Sequence, residues 1–228
     1  MKMKEAVWTD LPYTLPDAAH MAERLHVFED DFEDFEPVYQ KCAQIASPKF
    51  VWKMADVERL ENDDVKIGDQ IFHSRILHVN MQGVKKACAY VATCGRELYE
   101  LALSCDDPLE RYWVDAISEQ LLRSIGISAH NRLREMLGAD RLFSMNPGSL
   151  PDWPISEQTP LFELIGDVYG KVGVELTDTY LMLPIKSNSG LYYASEEDFV
   201  NCEFCARGEC PNRRAQFNEE KFAEKYGL

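Results

Sequence analysis

Between Pro108 and Leu137 an apolar side chain returns at every fourth position: Leu109, Trp113, Ile117, Leu121, Ile125, Ala129, Leu133 and Leu137. Residues four apart are neighbours on one side of an α-helix, so the pattern predicts a single helix over 108–137. At 1.5 Å per residue such a helix is roughly 45 Å long, and any fold must be built along it. Pro108 suits the first helical turn, and Gly138 suits the stop. Gly126 interrupts the pattern and marks either a kink or a close approach.

The rest of the chain is punctuated more densely. Residues 1–60, with prolines at 12, 16, 37 and 48, read as a loop-rich N-terminal elaboration carrying short helical patches. Phe28, Phe32 and Phe35 recur at helical spacing within an acidic run, Glu29 to Glu36. Val65–Phe72 holds a Gly68-Asp69 break and reads as a hairpin or as a strand entering a helix. Lys86–Thr93 is short and apolar, which suits a buried strand, with a helix following from Arg96. A helix is expected over 156–169, opened by Ser156-Glu157-Gln158-Thr159. The run from Val174 to Pro184 alternates and reads as a strand, and a short helix is expected over 217–226. Long helices interleaved with a few strands point to an α+β fold, a mostly antiparallel twisted sheet packed with long helices. Three segments follow: 1–60, a core over 61–198, and a cysteine-rich tail over 199–228.

Composition excludes several functions. The 228 residues are 46% hydrophobic, enough for a sizeable core, and carry 39 acidic against 24 basic residues for a net charge of −15. A surface that binds phosphate backbones needs clustered Lys and Arg, so nucleic acid is not an expected partner. No run is long and apolar enough to predict a membrane span, and the N-terminal residues do not read as a signal peptide. Seven cysteines, an odd number, argue against a disulfide framework and for a reducing cytoplasm. No G-x-G-x-x-G or P-loop opens a helix, which removes those routes to nucleotide binding.

Three of the cysteines, Cys202, Cys205 and Cys210, are spaced Cys-x2-Cys-x4-Cys-Pro, with Gly208 and Pro211 supplying turns. Packing alone does not require such a cluster, whereas a metal needs several thiolates converging from a short loop. With Cys94 as a fourth ligand the set closes a structural zinc site; Cys42, Cys88, Cys105 or a histidine are further candidates. Alternatively the three cysteines hold an iron–sulfur cluster, and the protein itself then carries an electron. The five histidines show no metal-binding spacing.

A set of segments, in order, resembles the activation (reactivation) domain of vitamin B12-dependent methionine synthase and its free-standing homologues. They are Ala92-Thr93-Cys94-Gly95 with Glu97-Leu98, the long helix with Asp115 and Glu119, the loop Asn146-Pro147-Gly148-x-x-Pro-Asp152, the run Gly173-Val-Glu-Leu-Thr-Asp-Thr, and Pro184-x-x-Ser187-x-Ser189-Gly190-x-Tyr192-Tyr193. The resemblance covers residues 65–195. It implies S-adenosylmethionine as ligand, a corrinoid protein or B12-dependent methyltransferase as partner, and support of the reductive methylation of cob(II)alamin carried by that partner. It further implies cofactor contacts at Pro147, Gly148, Ser187, Ser189, Gly190, Tyr192 and Tyr193, and catalytic roles for Asp115 and Glu119 near the cobalt. The cysteine tail is similar to an appendage of stand-alone relatives.

One departure is plain. Where the family's ligand loop reads Arg-Pro-x-Pro-Gly-Tyr, this chain has Ser144-Met145-Asn146-Pro147-Gly148-Ser149. A bidentate arginine–carboxylate contact has no counterpart in a serine. Two readings therefore stand side by side: an activation factor that transfers a methyl group or electron to cobalt, and a metal-stabilised adaptor for a corrinoid protein that has lost S-adenosylmethionine. A metal-binding protein unrelated to B12 is a third.

Overall fold

The computed structural model describes residues 5–150, 152–196, 201–205, 207–209, 213 and 215–227. In chain order the elements are β1 (Glu5–Trp8), α1 (Ala18–Arg24), α2 (Phe32–Ile45), β2 (Lys49–Arg59), β3 (Asp64–Ile67), β4 (Gln70–His73), α3 (Arg75–Asn80), β5 (Lys86–Thr93), α4 (Arg96–Ser104), α5 (Pro108–Leu137), β6 (Leu142–Met145), α6 (Gln158–Ile165), α7 (Val168–Val172), β7 (Glu175–Leu176), β8 (Met182–Leu183), β9 (Ser187–Ala194) and α8 (Glu219–Tyr226). Among the described residues seven strands form one antiparallel sheet in the order β4-β3-β2-β5-β9-β6, with β1 also paired to β2. The α+β expectation with an antiparallel sheet holds.

Strand β5 sits in the middle, and almost every residue on it is buried. Its side chains alternate between two cores. Cys88, Tyr90 and Ala92 face a layer made by α1, α2, α4 and α5, while Ala87, Ala89 and Val91 face a layer made by α3, α6, α7 and the C-terminal segment. Period-two alternation assigns β9 the same way, with Tyr192 in the first core and Tyr193 in the second.

Helix α5 has the bounds that the spacing predicts. The Asp107 carboxylate accepts a hydrogen bond from Leu109 N at 2.8 Å, Pro108 occupies the first turn, and Gly138 ends the helix at φ +58°. A strict four-residue spacing precesses by about 40° per step, so no single partner can cover the whole row. Phe35 of α2 meets Trp113 edge-on at 5.4 Å, and the sheet covers the later turns. The third side is taken by the irregular segment after β1: Thr14 N donates to Ser124 Oγ at 2.7 Å, and Arg132 pairs with Asp10 at 2.7 Å. Within the row Trp113, Ile117, Leu121, Ile125, Ala129 and Leu133 are buried, whereas Leu109 and Leu137 at the ends stay 43% and 39% exposed. The helix runs through Gly126, and nothing lies within 4 Å of the place its Cβ would take.

Other segments differ from expectation. The eleven residues of β2 fall inside the segment read as loop-rich, because Phe50, Val51 and Trp52 are all buried and show no alternation. The expected boundary near residue 60 falls between β2 and β3, two strands of one sheet. Phe28 is 77% exposed and precedes α2, so the aromatic stripe reduces to Phe32 and Phe35. The helix expected over 156–169 breaks at Gly166, φ +85°, and restarts as α7. The run 174–184 forms two short strands, β7 and β8, around a turn. Gly68 and Asp69 do form the turn of a hairpin, β3–β4.

Leu121 is fully buried between α5 and the sheet. Leu121→Ala should cost about 2–5 kcal/mol, read by urea unfolding, with the slope unchanged. Burial pushes the Cys42 and Cys94 thiols up to about 12 from an ordinary 9.0. The folded state therefore holds these protons more tightly than the unfolded chain. That stabilisation is complete below pH 9 and declines as pH rises toward 12. Unfolding midpoints should be insensitive to these thiols up to pH 9 and fall above it, and Cys42→Ala with Cys94→Ala should flatten that alkaline fall.

Candidate functional site

Helix α5 runs alongside β9. At one end Glu119 Oε2 lies 3.9 Å from Lys186 Nζ; at the other the His130 ring meets Tyr192 edge-on, centroids 5.7 Å apart. Asp115, Glu119, Gly126 and His130 fall at helical spacing on one flank of α5, Asp115 one turn before the Lys186 contact and Gly126 between the two contacts. Because Gly126 presents no side chain there, the middle of the strip between α5 and β9 is open on the helix side. Its sheet side carries Tyr90 and Tyr192, stacked with centroids 4.5 Å apart, and Tyr90 stacks in turn on Phe50 at 5.4 Å.

The β9 motif divides between the two faces of the sheet. Asn188, Gly190 and Tyr192 face α5, and Ser187, Ser189 and Tyr193 face the other way. Tyr193 is 1% exposed within the second core beside Phe143, so the two tyrosines do not line one surface. Ser187 Oγ donates to the Pro184 carbonyl at 2.7 Å, and Ser189 Oγ donates to Gln158 Oε1 at 3.4 Å. Both hydroxyls are thus engaged in holding β9 to its neighbours.

Gly190 has a specific reason to be glycine. It pairs with Tyr90 on β5, while Asn146 follows the end of β6 on the other side. The Asn146 amide reaches across β9, donating to Tyr90 Oη at 2.8 Å, Ser189 O at 2.6 Å and Asn188 Oδ1 at 3.2 Å. A Cβ on residue 190 would sit 2.6 Å from Asn146 Nδ2 and 2.4 Å from the Met145 carbonyl oxygen. The close approach expected of a ligand at Gly190 is made here by the protein's own asparagine. Tyr90, His130 and Asn146 are the strip residues that sequence reasoning left out of the candidate set. Asn146 lies inside the Asn146-Pro147-Gly148 motif, but Tyr90 and His130 carry no local signal and are brought in by strand register and helix phase.

The loop after β6 is tied down by its acids. Gly148, at φ +80°, donates its N–H to Trp153 O at 2.7 Å and packs on Ile155, and the Asp152 carboxylate accepts from Ser74 Oγ at 2.9 Å and Ile76 N at 3.0 Å at the start of α3. Glu157 accepts from His73 N at 3.1 Å, and burial raises its pKa. Pro147, in the same loop, is buried. Ser144 lies on β6 in register with Tyr192.

Asp115 borders a small depression at the turn after β5 with Gly95, Ser118, Pro184 and Lys186, and Glu119 reaches the same Lys186 from one turn further along α5. Tyr192 is five residues along β9 from Ser187, roughly 16 Å away, so carboxylates and tyrosine mark opposite ends of the strip. A separate cleft of about 670 Å³ lies beyond the end of β9, bordered by Gln82, Asp140, Arg141 and Ser195, and none of the sequence-derived candidates lines it.

The cysteines are not all on one side. The Cys94 thiol is buried in the first core and donates to Ser118 O at 2.9 Å, whereas Cys205 packs against the second core. Cys94 is therefore separated by the sheet from the tail, which removes it as a ligand shared with Cys205. Cys210 lies outside the described residues. Among the described residues no group of three or more His, Cys, Asp or Glu side chains is placed to hold a metal ion, and no helix is long and apolar enough to cross a membrane.

Gly190→Ala should cost about 1–3 kcal/mol, because the Met145 carbonyl is backbone and cannot step aside. Urea unfolding checks this, and Asn146→Ala in the same background should recover only the part due to the amide.

No family model matches the chain, and no curated protein does. Thirteen chains of solved structures match. One is a crystal structure of the MetH reactivation domain bound to AdoHcy, similar over 88% of this chain and 81% of that one, with a TM-score of 0.63 and 14% sequence identity. The architecture of this chain, a mixed helical and antiparallel-sheet domain, is the fold of the MetH reactivation domain.

Proposed function

We propose that this chain is a reactivation factor for the corrinoid protein of a B12-dependent methyltransferase system, supporting reductive methylation of cob(II)alamin carried by that partner. The observation that carries the reading is an open strip along α5 and β9, on a reactivation-domain fold, with carboxylates at one end and stacked tyrosines at the other. The task of such a protein is mainly positioning: holding a methyl donor against a cobalt centre and excluding water.

The strip's chemistry fits S-adenosylmethionine in part. Asp115 and Glu119 would face its cationic ammonium and sulfonium groups, while Tyr90 and Tyr192, only 3% and 6% exposed, form the packed floor of the strip's far end. When bound, the sulfonium supplies the methyl group. The ligand's carboxylate would find only the Ser144 hydroxyl at the arginine position. Ser144, together with the Asn146 amide over Gly190, favours a second reading, a non-catalytic adaptor that binds the corrinoid protein without S-adenosylmethionine. In either reading we take Cys202 and Cys205 as ligands of zinc or of an iron–sulfur cluster.

The test combines cob(II)alamin-loaded corrinoid protein, a reductant and S-adenosylmethionine, and follows the corrin absorption bands with and without this chain. Conversion to methylcobalamin that depends on the chain, slowed at least tenfold by Tyr192→Ala, is the expected result. A complex with the corrinoid protein, but no calorimetric heat with millimolar S-adenosylmethionine, establishes the adaptor instead. Absence of both sinks the corrinoid reading.

A further inference from the structure

The tail from Cys202 to Ala215 contains one short 3-10 turn, Asn201–Phe204, and is otherwise irregular among its described residues. Its hydrogen bonding converges on one side chain. The Arg213 guanidinium donates through Nη1 to Cys202 O at 3.2 Å and Ala215 O at 3.1 Å, and through Nη2 to Cys205 O at 3.3 Å and to Arg207 O. Four carbonyls from both arms of the loop are thus gathered on one fork of donors. Such a fork is rigid and planar, which a lysine ammonium is not. Two of the four belong to Cys202 and Cys205, the residues spaced Cys-x2-Cys.

The same short segment is held from its other side. Phe204, between the two cysteines, is fully buried and meets the Tyr226 ring edge-on at 5.3 Å. Tyr226 Oη exchanges hydrogen bonds with the buried Asn80 amide at 3.0 and 3.2 Å, and its carbonyl accepts from Arg75 Nε. Asn218 N donates to Glu203 O at 2.8 Å, and Lys221 Nζ pairs with the Glu203 carboxylate. The backbone of 202–205 is therefore clamped between the core, through Phe204, and the guanidinium.

We propose that Arg213 is a positioning residue for a thiophilic metal ion, bracing the Cys202–Cys205 pair before the ion arrives. The inference rests on the reading of these cysteines as metal ligands and adds the residue that prepares them. Ordering backbone costs conformational entropy, so a 202–205 backbone already held by Arg213 leaves less of that cost to the metal. The fixed positive charge also offsets part of the negative charge that two thiolates bring to a chain of net charge −15.

The experiment titrates the full-length chain with Zn²⁺ against a chelating dye, and with Co²⁺ while recording the thiolate-to-metal charge-transfer band. It compares the wild type with Cys202→Ser/Cys205→Ser, Arg213→Ala and Arg213→Lys. The expected result is a charge-transfer band in the wild type that the double serine variant lacks. Affinity should fall at least tenfold in Arg213→Ala, and Arg213→Lys should recover it only in part, at unchanged helical circular dichroism. Wild-type affinity in a folded Arg213→Ala overturns the inference while leaving the metal reading standing. Wild-type affinity in Arg213→Lys also overturns it, because the fork is then unnecessary, and this arm decides the matter if Arg213→Ala does not fold. No charge-transfer band in the wild type removes the metal reading itself, and this inference with it.

Discussion

A strand with no solvent face must be covered twice, and β5 is such a strand. Ala87, Ala89 and Val91 on one side and Cys88, Tyr90 and Ala92 on the other are all buried, so helices are needed above and below. The requirement propagates outward through register. β2 and β9 flank β5 and repeat its alternation, and α5 then lies along the face that carries Tyr90 and Tyr192. The tail belongs to the opposite face. Candidate ligand strip and candidate metal loop are consequently on two sides of one sheet, and neither shares side chains with the other.

The strip itself is shaped by what is missing. Gly126 leaves out a side chain on the helix wall, and Gly190 leaves one out on the sheet wall. The two omissions have different consequences. Space at Gly126 stays open, whereas space at Gly190 is filled by the Asn146 amide bridging β6 to Tyr90 of β5. A glycine in a motif thus signals a close approach without saying whether the visitor is a ligand or the protein itself.

Several elements were legible because their signals are local. The four-residue row with Pro108 at its start and Gly138 behind it specified α5 from end to end, and the Gly68-Asp69 break allowed the β3–β4 turn as one of two readings. β2 was hidden by its own burial, since a strand covered on both faces loses the alternation that betrays half-buried ones. Gly166 split a helix whose apolar pattern continues across it, because φ +85° is outside helical geometry.

The site divides in the same way. Residue types and their order, Asp115 with Glu119, the Asn146-Pro147-Gly148 loop, the Ser-x-Ser-Gly-x-Tyr-Tyr run and the cysteine spacing, were written in the chain, because each depends on neighbours a few positions away. Which of them meet was decided by the tertiary structure alone. Pleating sent Tyr192 and Tyr193 to opposite cores, the sheet separated Cys94 from Cys205, and helix phase brought His130 to Tyr192. Arg213 shows the same limit: only the folded loop gathers four carbonyls around it, since convergence of distant backbone groups leaves no trace in local spacing.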